Sequence, residues 1–464
     1  MLNDNDDQAE PLVEAAEYTQ GEKQENSCRD PIFALLFHGH LITMIVLAFT
    51  WGIPAYEKEM SNSDSSSDVD YQAVFKICGA TAFASLIISV VMLSVMMCCV
   101  TFMIKVSLLW TVAVSGAAAV WCFMYGNIWG GAFSVLAFLC GCCYARAVWS
   151  RIPFAAENLK TGITAVKSNL GIVIYAYMIG ALVVVFSMIW SLVVIGINYE
   201  NGGTPNTGYL FLLFLSLFWT QQVIQNVIHV SVAGLVGTWW FDPVNASGCC
   251  SSGVHTSVCR ATTYSFGSIC FGSLLVAIIQ ALRQLVYALR ENGENACLVC
   301  LLDCLLGCIE GTLRYFNKWA YVYVGLYGYP YLQSGKRVLE LFEARGFTVV
   351  ITDDLVSNTL ALNGFVIALL TGAVALAIKA ANPSWFVGFE QFGSVDGATF
   401  FLGFIMGLIV ACTIMSVISS AVDTVIVCWA EAPADLEANH NEEFNAMRDV
   451  WYENYPECCP STHD

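Results

Sequence analysis

Apolar residues in this chain come in long unbroken runs rather than in the alternating or one-sided patterns of a soluble fold. Runs of about 18 residues or more recur along most of the length, and such runs carry a helix across a bilayer. Ten spans can be drawn, over residues 33–53, 72–102, 106–126, 128–147, 170–197, 208–240, 263–289, 317–335, 357–380 and 398–429. The pattern predicts an all-α polytopic membrane protein. Residues 1–30 read as an acidic disordered N-terminal tail, 31–430 as a ten-helix transmembrane domain, and 431–464 as an acidic C-terminal tail. The serine-rich SNSDSSSD at 61–68 reads as a flexible loop. A large soluble helical core is excluded, because its helices would need polar faces that these spans lack.

Composition agrees with that reading. Of 464 residues, 57% are hydrophobic and 12% charged, with a mean hydropathy of +0.64; the charged share is about half the usual one. The net charge of −18 sits mostly in the two tails, which carry −7 and −8. Both tails read as mobile, solvated segments. Nothing suits a nucleic-acid partner, and no basic patch suits anionic lipid. The first thirty residues lack a basic stretch followed by an apolar one, so the first span is expected to serve as its own insertion signal.

Loop charge sets an expected orientation. The segment after span four holds Arg146, Arg151, Lys160 and Lys167 against Glu157, and the segment after span eight holds Lys336, Arg337 and Arg345. The alternate loops, including 54–70 with five acids and one base, are acidic. Basic loops face the cytoplasm, which puts both termini there. Residues 290–318, with Arg290, Arg314 and Lys318, fit this scheme poorly. Either a neighbouring span is irregular or this piece lies along the interface. The sequon Asn245-Ala246-Ser247 falls on the cytoplasmic side by parity and is expected to be unmodified.

Within span six, FWTQQVIQNVIHVSVAG places polar groups in lipid. At about 100° per residue, Trp219, Gln222, Asn226, His229, Ala233 and Gly237 share one stripe. Gln225 lies beside it and Gln221 further round. Polar groups in a bilayer are costly unless satisfied. Two readings fit the stripe: a solute path, or hydrogen bonding that holds helices together. Span ten carries a second stripe, Cys412, Ser416, Ser420 and Asp423. Asp423 could attract a cation leaving a pathway, or pair with a cytoplasmic base. Span seven has a small-residue face, Gly267, Ser268, Gly272 and Ser273, and an arginine, Arg283, read as structural. Span eight is dense in aromatics, which serve as an interfacial belt or as faces for a quaternary ammonium.

Twenty cysteines do not read as a disulfide framework. Many lie in apolar spans, and the pairs Cys98–Cys99, Cys142–Cys143, Cys249–Cys250 and Cys458–Cys459 lie near membrane edges as candidates for S-palmitoylation. In CLVCLLDCLLGC the thiols of Cys297, Cys300, Cys304 and Cys308 follow one helix face over about 16 Å. Four thiolates must converge at about 2.3 Å on a zinc, so no metal is expected. There is no phosphate loop with its lysine, no HExxH and no GxSxG, so neither enzyme activity nor a cofactor is expected.

Five segments together resemble the choline transporter-like family of ten-span membrane proteins: RIPFAAENLKTGITAVKSN (151–169), WTQQVIQNVIHVSVAGLVGTWWF (219–241), SFGSICFGSLLVAIIQALRQL (265–285), NKWAYVYVGLYG (317–328) and SSAVDTVIVCWAEAP (419–433). They occur in family order. The first 150 residues match only in their pattern of spans. The loop after span one, about 17 residues, is far shorter than in animal members, and WAEAP resembles the fungal, plant and protist branch, the pH-nine-sensitive type. The resemblance implies a carrier for choline or a related amino alcohol such as ethanolamine, in the plasma membrane and also internal membranes. On that footing Trp219 and an aromatic of span eight such as Tyr321 would hold the ammonium. Gln222, Asn226 and His229 would take the hydroxyl or close a gate, and Asp423 would line a cation pathway. Facilitated diffusion is the expected mode, with proton exchange if His229 titrates. A non-transporting scaffold and a carrier of another lipid-derived solute are the alternatives.

Overall fold

In hydrocarbon a backbone finds no water, so its polar groups must bond within their own segment, and helices result. A computed structural model describes residues 26–62, 71–200, 207–291, 296–345, 355–383, 385 and 394–454. The acidic stretch 1–25, most of SNSDSSSD and the Cys458–Cys459 pair lie outside the described residues. Among the described residues, sixteen α-helices follow one another. They are α1 (Pro31–Leu47), continued through a π turn at Ala48–Gly52 into α2 (Ile53–Asn62), then α3 (Tyr71–Cys98), α4 (Val100–Met124) and α5 (Ile128–Val148). Next come α6 (Ile152–Lys167), α7 (Gly171–Glu200), α8 (Thr207–Phe241), α9 (Ser252–Thr262) and α10 (Phe266–Glu291). The last are α11 (Ala296–Tyr327), α12 (Tyr331–Ala344), α13 (Leu355–Ala381), α14 (Val395–Glu431), α15 (Pro433–Asn439) and α16 (Asn441–Asn454).

Among the described residues, nine helical stretches are long and apolar enough to cross a membrane, and they fall on nine of the ten expected spans. The tenth differs. Span eight was expected at 317–335, but the helix there, α11, begins at Ala296 and stops at Tyr327, where Gly328 takes a left-handed φ of 65°. Apart from 292–295, the troublesome stretch 290–318 is therefore helix. It carries Asp303, Glu310, Arg314 and Lys318, which hydropathy reads as loop. Asp303, Glu310 and Arg314 are matched instead. Arg283 of α10 donates through Nε to Asp303 at 2.9 Å and through Nη1 to Glu310 at 2.7 Å, and Arg314 reaches Glu310 at 2.9 Å. Asp303, Glu310 and Arg314 follow steps of seven and four, so they share one helix face. With Arg283 the group is formally neutral.

The chain divides into two compact units. The first comprises Met1–Ser65, Ala165–Leu341 and Ile426–His440. Its centre is α8, packed against α7, α9, α10 and α11. The core includes Trp219, Val223, Val227, Ile269, Tyr321 and Tyr331. The π turn lets α1 approach α7: a Cβ at Gly196 would lie 2.7 Å from the Gly52 nitrogen. The second unit comprises Ser66–Thr164, Phe342–Val425 and Asn441–Asp464. Here α13 packs on α3 and α4, with Ser107 and Thr359 sharing a hydrogen bond of 2.8 Å.

Two segments expected as solvated tail are structured. Arg29 donates to the Gly328 carbonyl at 3.0 Å, and Asp30 accepts from the Ser268 hydroxyl at 2.6 Å and the Tyr331 amide at 3.1 Å. At the other end, α15 and α16 bury Leu436, Phe444, Met447 and Trp451. The last three follow steps of three and four, a helical stripe hidden by nine acids in the surrounding tail.

The small residues of SFGSICFGS have a steric reason. Gly267 lies under the backbone of Arg29 and Asp30, and a Cβ at Gly272 would fall 2.5 Å from the Tyr321 hydroxyl and 2.4 Å from the Tyr331 ring. Gly272→Val should therefore destabilise the fold by about 1–3 kcal/mol, the usual range for overpacking a well-filled core. A lowered unfolding midpoint of the detergent-solubilised protein, against an unchanged one for Gly39→Val where space is open, checks this.

Candidate functional site

The stripe on α8 faces α10 and α11, and each of its polar side chains has a partner there. Trp219 is buried and donates its indole N–H to the Cys270 carbonyl at 3.0 Å. Gln222 donates to Gln280 at 3.4 Å, and Asn226 donates to the Ser273 hydroxyl at 2.9 Å. His229 Nε2 lies 3.0 Å from the Lys318 carbonyl. Below them Ala233 meets Gly325, where a Cβ would come within 2.7 Å of the Ala233 Cβ, and Gly237 meets Leu326. Small residues here let α8 and α11 close on each other. Gln225 is exposed and outside the stripe.

Tyr321 joins the same cluster. Its hydroxyl donates to the Ile269 carbonyl at 3.0 Å and lies 3.4 Å from Ser273 Oγ, which links it to Asn226. Its ring sits 6.4 Å from His229 and 5.7 Å from Tyr331. Trp219 and Tyr321 share one core but make no ring contact among the described residues. The aromatic neighbours of Trp219 are instead Phe37, edge-on at 5.1 Å, and His40 at 5.3 Å, both from α1. The indole N–H is thus spoken for in the ring plane.

Several polar members of the cluster lie on other helices, where the stripe alone did not reveal them. Gln280 accepts from Gln222 and donates to Glu310 at 3.0 Å, so two amides lead from the stripe to the ion cluster of α10 and α11. Asn317 donates to the Gly272 carbonyl at 3.0 Å and accepts from the Tyr331 hydroxyl. The available signal was the match between Arg283 on span seven and the Asp303, Glu310, Arg314 face. A polar cavity of about 30 Å³, bounded by Gly234, Gly237, Thr238, Arg260 and Gly325, lies further along α8. That is room for about one water.

Asp423 lies on the part of α14 that belongs to the second unit. It and Ser420 are buried, whereas Cys412 and Ser416 are exposed, so the expected stripe is buried only in its last turn. Cys300, Cys304 and Cys308 are exposed along α11, and no His, Cys, Asp and Glu group able to hold a metal occurs among the described residues.

Comparison with known proteins identifies the family. The sequence profile of the family described as plasma-membrane choline transporter matches residues 128–434, which include every stripe residue and partner named above except those of α1. Protein PNS1 of Debaryomyces hansenii is 31% identical over 353 residues, covering 70% of this chain and 66% of its own length. A CTL-like protein of Dictyostelium discoideum is 28% identical over 428 residues, 90% of this chain and 75% of its own. Protein PNS1 of Saccharomyces cerevisiae is 28% identical over 344 residues. The chain spans just under two thirds of the length of the two PNS1 proteins, 66% and 63%. The names agree with the branch that WAEAP resembles. The profile covers about two thirds of the chain and contains the polar stripe, the glycines beneath it and the helices that answer it. The chain therefore belongs to the choline transporter-like family of multi-pass membrane carriers.

Proposed function

We propose that the protein carries choline or a related amino alcohol such as ethanolamine across the plasma membrane by facilitated diffusion, through the α8–α10–α11 cluster. The observation that supports this most is the chemistry of that cluster within a family of choline carriers. Choline combines a fixed positive charge without N–H donors and one hydroxyl. Aromatic faces suit the first, and the rings of Trp219 and Tyr321, with the Phe37 and Tyr331 rings beside them, supply these faces. Amides and hydroxyls suit the second. The bonds of Gln222 to Gln280 and of Ser273 to Tyr321, both 3.4 Å, are long and side chain to side chain, so a solute hydroxyl can replace them. In the conformation described the cluster is closed on itself, and transport requires that α8 part from α10 or α11. Both termini are cytoplasmic in this reading, Asp423 lines the cation's route, and the exposed membrane-edge cysteines accept palmitate.

A second reading has a specific observation in its favour: each polar group of the stripe already has a protein partner, as pure helix-to-helix bonding would require. Uptake of labelled choline into proteoliposomes separates the two. With an inside-negative potential of about 60 mV, one charge moving inward gains about 1.4 kcal/mol, so accumulation should approach about tenfold. Trp219→Ala and Asn226→Ala should abolish saturable uptake in protein that still elutes as a single species. If both variants melt earlier yet transport with unchanged KM, the stripe is structural only. Well-folded wild type without saturable uptake of choline or ethanolamine removes the carrier reading for these solutes.

The neutral ion cluster gives a further expectation. Glu310→Gln leaves Arg283 and Arg314 against Asp303 alone, a net positive charge at the end of the amide chain. The KM for choline should rise by up to about tenfold, the effect of a unit charge on the order of 10 Å away in a protein interior. Inhibition by 3,3-dimethylbutanol, its uncharged isostere, should stay unchanged. Equal loss for both would mean that Glu310 only supports the fold.

A further inference from the structure

About 130° round α8 from the polar stripe, the helix turns a different face to a different space. A cavity of about 440 Å³ lies among α1, α7 and α8 and the start of α10. Its volume falls within the range of small-molecule sites, but its chemistry is not that of the stripe. Met44 of α1, Phe186 of α7, and Val223, Ile224 and Val227 of α8 form its inner wall, and all five are buried. No charged side chain lines it. A choline-like cation would be stripped of water there with no amide or carboxylate to meet it.

The rim tells what can enter. Ile45, Leu182 and Val185 line the same cavity and are 44%, 54% and 55% exposed, on two of the helices that cross the membrane. The medium around those side chains is lipid hydrocarbon, so the cavity opens sideways to the bilayer. A void in such a wall forfeits its dispersion contacts, and the nearest matching matter is an acyl chain. A second observation marks the wall. Thr220 is 3% exposed and lines the cavity, yet its hydroxyl has no hydrogen-bond partner among the described residues, whereas the cavity's other threonine, Thr262, bonds the Val258 carbonyl at 2.9 Å. An unclaimed buried hydroxyl beside an apolar slot fits a guest that brings one acceptor, such as the ester oxygen of a glycerolipid.

We propose that this cavity is a binding site for one acyl chain of a bilayer phospholipid, entering between α1 and α7. Phe37 connects it to the stripe. It lines the cavity and stands edge-on to Trp219 at 5.1 Å, so a seated chain braces the indole from behind. The site is separate from the polar cluster and stands whether or not choline is the solute.

The test uses the full chain in nanodiscs containing phosphatidylcholine with a photoactivatable diazirine midway along one acyl chain. After irradiation, adducts are located by peptide mass spectrometry. Adducts are expected on Met44, Val223 or Ile224, buried residues that lipid lying on the outer surface does not reach. The same lipid with its diazirine on the headgroup should give none there. Leu182→Trp, at an exposed position on the rim, should remove the interior adducts while leaving those on Phe102 and Leu109, exposed residues of α4. Val223→Phe, which fills the cavity from within, should do the same. Interior adducts absent from the wild type, or persisting undiminished in both variants, overturn the proposal. So does their loss on adding excess choline, since the cavity would then belong to the solute.

Discussion

A polar group inside a bilayer has nowhere to turn but to another part of the protein, and the first unit is organised by that constraint. The stripe on its central helix, α8, carries two amides, an imidazole and an indole N–H, and α10 and α11 answer them group by group. Four full charges are handled likewise. Arg283, Arg314, Asp303 and Glu310 form one neutral cluster on two helices joined by a short connection. A lone charge within a membrane span is costly. Together with Gln280 these four satisfy one another, and the hairpin of α10 and α11 is fixed in register as a consequence.

The same constraint explains motifs that otherwise look like arbitrary spelling. In SFGSICFGS, Ser268 holds the Asp30 carboxylate, Gly267 makes room for the backbone carrying it, and Gly272 makes room for Tyr321 and Tyr331. Asp30 in turn bonds the Tyr331 amide, so one acid ties the start of α1 to α10 and α12. In WAEAP, Glu431 accepts from the Tyr327 hydroxyl at 2.5 Å, the Ala432 carbonyl accepts from the Trp240 indole at 2.9 Å, and Pro433 starts α15. Proline suits a first helical position because the N–H it lacks would have no partner there. These segments sit at helix ends and crossings, where backbone groups need unusual partners.

Nine of the ten spans were legible because long apolar runs have few other outcomes in a chain of this composition. The tenth, α11, starts 21 residues before the expected span, at Ala296 instead of 317, because its charges count against a span when read alone. They count for it once Arg283 is seen opposite. The same limit hid α15 and α16, where Phe444, Met447 and Trp451 are outnumbered by acids that face away. The α8 stripe was legible from periodicity. Its partners were not, since a wheel shows which residues share a face and not which helix that face meets. Trp219 illustrates the gap. An aromatic neighbour was expected from span eight, and the structure supplies Phe37 from α1.

A closed cluster is what a carrier needs in the absence of its solute, provided that it can open. Interhelical hydrogen bonds in membranes average only about 0.6 kcal/mol, because the separated helices find other partners. The few side-chain bonds that join α8 to α10 are therefore a weak latch, and the long ones are weaker still. The ion cluster is different in kind. Breaking it would leave four charges without their partners, so under the proposed carrier reading α10 and α11 would move together, and α8, bound to them by exchangeable amides and by glycine contacts, would be the element that parts from them. Under the carrier reading proposed above, a solute offering its own hydroxyl to Asn226 and its ammonium to the aromatic rings would replace the bonds that opening breaks. In that proposal specificity would follow from the latch itself, since a guest lacking either group would leave buried polar groups unpaired and the open state unfavourable.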